Sequence, residues 1–150
     1  MQNSDSEIVE ALGRSILATG MSGEQVRELA RYASLQTFDP GQALIAIDDP
    51  SLHLLLLVRG QCEVWAAGDD LLYSLPENSL VGEVSFVDGL KRSATVTAVS
   101  SCDAIRFERR VLDQLPAEVA NHLLRNVCLV VCKKLRSTTK VVELIAGLHY

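Results

Sequence analysis

The sequence predicts a mainly β fold, an antiparallel sandwich or barrel with helices at both ends, and three observations predict it. Short extended runs recur between residues 43 and 107, separated by turns rich in Gly, Asp, Pro and Asn. Ahead of them, residues 5–35 carry apolar positions at helical spacing. Behind them, from about Glu118 to Leu148, only Gly147 interrupts and no Pro follows Pro116. That stretch is long enough for roughly 45 Å of helix. The whole chain, 1–150, is expected to form one domain: a helical segment near 5–35, a β region near 37–108 and a C-terminal helix near 117–148.

The elements follow in order. Ile8, Val9, Leu12, Ile16 and Leu17 give a first helix over 5–19, which Gly20 ends. Ser22 with Gln25 three positions later has the form of a capping box, opening a second helix over 23–35. Phe38-Asp39-Pro40-Gly41 is a turn. Strands are expected at Ala43–Ile47, Leu54–Val58, Gln61–Ala66, Leu71–Leu75, Ser93–Val99 and Ala104–Phe107. In the last helix Leu124, Cys128, Val131, Leu135, Thr138, Val142 and Ile145 alternate spacings of four and three, a heptad seam. Part of that helix can pack on its own barrel. The seam outlasts what a small barrel covers, so self-association is the expected use of the remainder.

Composition limits the function. The chain is 48% hydrophobic and 22% charged, as a globular protein is. Fourteen basic against 19 acidic residues give a net charge of −5, which disfavours broad contact with nucleic acid. No apolar run reaches membrane-spanning length, and Met1-Gln2-Asn3-Ser4-Asp5 lacks the pattern of a signal peptide, so no membrane association and a cytoplasmic location are expected. Cys62, Cys102, Cys128 and Cys132 have no zinc-ribbon or CxxC spacing. Cys128 and Cys132 share a helix face, where packing is the first reading and redox sensing the second.

The residues richest in chemistry run from Gly82 to Val96: Gly-Glu-Val-Ser-Phe, Val-Asp-Gly-Leu-Lys, Arg-Ser-Ala-Thr-Val. A buried anion must exchange its water for donors. Arg92 offers a planar, permanently charged fork, and the amides near Val84 and Ser85 add donors. Gly82 lets the main chain approach closely, and an ionised Glu83 is a hydrogen-bond acceptor. Taken alone, Glu83 and Arg92 can equally form a surface ion pair contributing ~0–1 kcal/mol, and Ser93–Val99 can be any half-buried strand.

In order and spacing the run closely resembles the phosphate-binding cassette of cyclic nucleotide-binding domains, the sensor module of the catabolite activator protein and of cyclic nucleotide-dependent kinases. The resemblance extends over roughly residues 20–148, with Gly41, Asp49-Pro50, Gly60 and the approach Leu75–Val81 at family positions. It implies a β-roll (a jelly-roll-like barrel) of about eight strands with N-terminal helices and a long C-terminal helix. It also implies a site: Arg92, Ser93, Val84 and Ser85 on the phosphate, Gly82 and Glu83 on the ribose, and Val64, Leu72, Thr138 and Thr139 around the base. The two threonines can also be ordinary polar positions of an interface. The implied ligand is cAMP, with cGMP as the alternative base, and no cofactor or metal is implied. The implied assembly is a homodimer through the C-terminal helix, whose altered surface a partner protein, unnamed by the sequence, would read. The sequence departs from the family pattern at Asp48, Ser51, Leu52, Asn78 and Ser85, where the family often has Gly, Gly, Asp, Gly and a small Ala or Gly.

Rival classes fare less well. There is no P-loop, no Gly-x-Ser-x-Gly elbow and no HExxH, and His53, His122 and His149 are scattered, so catalysis is not expected. The chain ends at Tyr150 where the activator family continues into a helix-turn-helix, so DNA binding is not expected. An interaction module of the same fold with a degenerate pocket is the stronger rival, although retention of Glu83 and Arg92 argues against it. Oxygen- or haem-sensing relatives are a third reading; the N-terminal segment has no cysteines for an iron–sulfur cluster, and His53 alone makes no convincing haem ligand set.

Overall fold

Eight strands form two four-stranded antiparallel sheets in the computed structural model, which describes residues 3–147. The elements are α1 (Asn3–Gly13), α2 (Gly23–Ala30), β1 (Ser34–Phe38), β2 (Ala43–Ile45), β3 (Leu54–Arg59), β4 (Cys62–Trp65), β5 (Leu71–Leu75), β6 (Leu80–Val81), α3 (Glu83–Asp88), β7 (Thr95–Ala98), β8 (Cys102–Phe107), α4 (Val111–Gln114) and α5 (Ala117–Ala146). One sheet runs β1-β8-β3-β6 and the other β2-β7-β4-β5.

The run Leu54-Leu55-Leu56-Leu57 explains how the layers hold together. Successive side chains of a strand point to opposite faces. Leu54 and Leu56 join a core with Leu12, Leu29, Phe86, Phe107 and Leu123 on the helical side. Leu55 and Leu57 join the core between the sheets with Phe38, Val64, Leu75, Val81 and Val96. All four leucines are buried, so β3 reads as a continuous apolar run because it is covered on both faces. Cys62 and Cys102 lie in the inter-sheet core with their sulfurs 3.8 Å apart.

The helices differ from expectation in instructive ways. The first is shorter than 5–19: α1 ends at Gly13 and a single 3-10 turn, Ile16–Ala18, follows. Ser15 Oγ donates to Leu12 O at 2.7 Å, capping the end of α1 with a local bond that competes with helix continuation. The capping box forms as read, with Gln25 N–H donating to Ser22 Oγ and Ser22 N–H donating to Gln25 Oε1. The helix it opens stops at Ala30, however, and residues 34–38 are strand β1. The short strand β6 and the one-turn helix α4 were not anticipated either.

The long helix α5 has 30 residues and is capped by Gly147 at φ 68°. The expected end at Leu148 lies outside the described residues, as do His149 and Tyr150. Its first half is anchored: Val119, Leu123, Asn126 and Val127 are buried. Asn126 Nδ2 donates to Leu17 O at 2.8 Å and Thr19 O at 2.9 Å, tying α5 to the 3-10 turn. The second half is bare, with Leu135 65%, Val142 55%, Leu144 79% and Ile145 82% exposed. None of the described helices is long and apolar enough to cross a membrane.

Candidate functional site

Arg92 defines the site. Its residue is only 2% exposed, and its guanidinium is held by the main chain. Nη2 donates to His53 O at 2.7 Å, Nη1 to Gly82 O at 2.9 Å, and Nε to Ser51 Oγ at 3.3 Å. Three of five N–H donors are thereby used, leaving two for another acceptor. None of the ion pairs among the described residues includes Arg92. Burial lowers its pKa below the ordinary arginine value, while the fields of Asp49 and Glu83 oppose that shift. A buried cation without a carboxylate in contact is an anion site in electrostatic terms.

Gly82 makes this geometry accessible. It has φ 82°, and a Cβ there would stand 2.6 Å from Arg92 Nη1 and 2.9 Å from His53 O. Only glycine accommodates both the left-handed backbone and the approaching guanidinium. The chain then enters α3, a helix of six residues closed by Gly89 at φ 73°. Its first turn carries Glu83 and Ser85, both buried, and the exposed Val84.

These residues surround a cavity of about 290 Å³ between the second sheet, α3 and α5. Its walls include Ile45, Val64, Tyr73 and Val96 from the sheet, and Val131, Leu135 and Thr138 from α5. The structure therefore brings Gly82, Glu83, Val84, Ser85, Arg92, Ser93, Val64 and Thr138 together at one cavity. Two expected residues are not brought in. Leu72 is 53% exposed and lines the neighbouring groove instead. Opposed residues of an antiparallel pair share a face, and Val64 opposes Tyr73, so Tyr73 takes the wall position and Leu72 faces away. Thr139 also stands off the cavity, because one helical step past Thr138 turns a side chain by about 100°; it is exposed, and its hydroxyl donates to Leu135 O.

Sequence reasoning missed Lys134. Its ammonium donates to the Glu83 carboxylate from 51 residues away and also reaches Leu80 O at 3.4 Å. Lys134 lies three positions after Val131 and four before Thr138, so the seam's own spacing puts it on the cavity face. His53 contributes through its carbonyl. Its imidazole is buried, and its pKa is lowered to about 4, first by desolvation and then by Arg106 and Arg92.

The site is thus a cavity with a buried cation on its wall, set in an antiparallel roll and roofed by a long helix. The chain belongs to the cyclic nucleotide-binding domain family, which matches residues 35–118, more than half of its length. Among solved structures it is similar to a cyclic nucleotide-binding domain from Methylobacillus flagellatus, with a TM-score of 0.82 and 25% identity over 97% of this chain and 85% of that one. It is also similar to the catabolite activator protein of Thermus thermophilus, with a TM-score of 0.78 and 22% identity over 88% of this chain and 63% of that one. Among curated relatives it is 22% identical over 150 residues to human cGMP-dependent protein kinase 2, covering 95% of this chain and 20% of the kinase. The chain thus spans about a fifth of that relative's length.

Proposed function

We propose that this chain is a cyclic nucleotide sensor, with 3′,5′-cyclic AMP as its ligand and no catalytic activity of its own. The observation that carries the reading is Arg92, a buried guanidinium with two N–H groups to spare and no carboxylate in contact, on the wall of a cavity. A cyclic phosphodiester bears one negative charge and two free oxygens, which a fork of donors suits. Ser85, Ser93 and the amide near Val84 complete the phosphate site. Glu83 accepts from the ribose 2′-hydroxyl beside Gly82.

The base lies between Val64 and Tyr73 on one side and Val131, Leu135 and Thr138 on the other. The Thr138 hydroxyl donates to Lys134 O at 3.0 Å, which leaves its lone pairs for a donor such as the adenine amino group. Val64, Val131 and Leu135 there are apolar, and guanine has more polar edge groups to leave unpaired against them than adenine does.

Signalling follows from α5. Ligand touches α5 at Thr138 and shares Glu83 with Lys134, so it shifts the helix toward the position in which those contacts are best. The bare second half of the helix is the output surface, used for a homodimer and read by a partner protein. The four cysteines are free thiols, which fits a reducing compartment such as the cytoplasm.

A second reading has one observation in its favour: Glu83 and Arg92 already have partners within the chain, as a pocket retained only for structure would. Titration calorimetry with cAMP and cGMP separates the two, using the wild type, Arg92→Ala and Arg92→Lys, each verified as folded by thermal unfolding. A sensor binds cAMP with micromolar or tighter affinity, prefers it over cGMP, and loses about a hundredfold in both variants. Silence with both nucleotides from a folded wild type overturns the sensor reading and leaves an interaction module.

A further inference from the structure

We infer that Arg109 is a positioning residue for the cavity: it clamps the exit of α3 and so holds Glu83, Val84 and Ser85 in place. The inference deepens the nucleotide-site reading and rests on it for its ligand consequence. Arg109 lies two residues past the end of β8, which is paired with β1 on one side and β3 on the other. Its backbone is therefore fixed to the centre of a sheet.

From there the side chain crosses to α3. Nε donates to Phe86 O at 3.0 Å and Nη2 donates to Val87 O at 3.3 Å. Both carbonyls belong to the last turn of α3, where no further helical N–H can reach them. The guanidinium also lies against Gly89, whose absent Cβ would stand 3.5 Å from Cζ and both terminal nitrogens. Gly89 N–H closes the same turn on Ser85 O at 2.9 Å. One planar group thus secures two carbonyls and covers the glycine that ends the helix.

The clamp matters because α3 cannot hold itself. Six residues are far below the length at which a helix is stable alone. Phe86 packs it against the core, which fixes one side. Without Arg109 the exit keeps only the Gly89 N–H bond to Ser85 O and the Leu90 N–H bond to Asp88 Oδ1, and the same six residues carry the carboxylate and the hydroxyl that line the cavity. Arg109 touches none of the cavity's lining, so its effect on ligand is indirect. A lysine can reach one carbonyl but not both in the geometry of the fork.

The test uses the full chain with Arg109→Ala, Arg109→Lys and a control, Arg110→Ala, at the neighbouring exposed arginine. Hydrogen exchange is followed by mass spectrometry without nucleotide, and cAMP is then titrated. Arg109→Ala should exchange about tenfold faster over residues 83–89 with the strands unchanged, and should bind cAMP about five- to twentyfold more weakly. Arg109→Lys should fall between, and Arg110→Ala should match the wild type. Unchanged exchange over 83–89, or acceleration spread evenly over the whole chain, overturns the clamp. Failure of the wild type to bind cAMP or cGMP overturns the nucleotide site instead, and the exchange measurement still decides the role of Arg109.

Discussion

Lys134 of α5 donates to the carboxylate of Glu83 on α3, and this ion pair bridges the roof and the floor of the cavity. The Glu83 side chain is 6% exposed and that of Lys134 33%. A buried carboxylate needs a partner, and the partner it has belongs to the one helix that leaves the body of the fold. Asn126 pins α5 ahead of the cavity and Lys134 ties it within the cavity wall. Past Lys134 most of the helix is exposed. The pair is therefore where the position of α5 and the chemistry of the cavity meet.

Replacing Lys134 with Met keeps the stem and removes the charge. Glu83 is then left buried and unpaired, at a cost of about 1–2 kcal/mol, less than a fully buried pair loses because Lys134 is partly in water. Urea unfolding at pH 7 should show that loss. Hydrogen exchange should quicken from about residue 128 onward while residues 117–127, held by the core, stay protected. Equal protection along the whole helix in the variant would mean that the pair does not tether α5.

His53 makes stability depend on pH. Its folded pKa is about 4 and its ordinary value 6.5. The unfolded chain therefore binds the extra proton over that interval, and stability rises with pH through it. The contribution of a neutral His53 is fully present above about pH 6.5 and is lost as pH falls from there toward 4. Between pH 7 and pH 5 the wild type should lose about 2 kcal/mol more than His53→Gln, measured by urea unfolding at both values. Parallel pH profiles for the two proteins would place the source of any acid sensitivity elsewhere.

The cassette was legible because its residues are determined locally. Gly82 needs a positive φ and an open α-carbon, Arg92 must follow at a fixed distance, and the helix between them is six residues long. Six strands were legible from their short extended runs, β3 most of all, and they include β2 and β5 at the edges of the second sheet. The missed strands β1 and β6 are the two edges of one sheet. In β1 only Phe38 is buried, so Ser34–Phe38 carries no alternation to read. In β6 only two residues pair. Leu72 was misplaced because which residue of β5 opposes Val64 is a matter of strand register, and in the run Leu71-Leu72-Tyr73 no residue type announces that it is Tyr73. Lys134 was missed because its partner is a long-range contact: within Lys133-Lys134-Leu135-Arg136 the local sequence reads as solvated charge. The seam that crosses it was visible, but the side of α5 that the roll occupies was not.

That seam yields the last expectation. Val131, Leu135 and Thr138 line the cavity, and the same stripe continues to Val142 and Ile145, which are 55% and 82% exposed. Apolar side chains repeating at heptad spacing on an exposed helix are best covered by another such helix. The wild type should sediment as a dimer at tens of micromolar, and Val142→Glu with Ile145→Glu should sediment as a monomer. Because neither residue belongs to a core cluster, the folded monomer should keep its circular dichroism spectrum apart from fraying of the last turns. Binding of cAMP should then tighten the wild-type dimer and leave the double variant monomeric, since ligand and partner copy meet the same face of α5. A wild type that sediments as a monomer with and without cAMP would take the homodimer out of the mechanism and leave the bare stretch to a different protein.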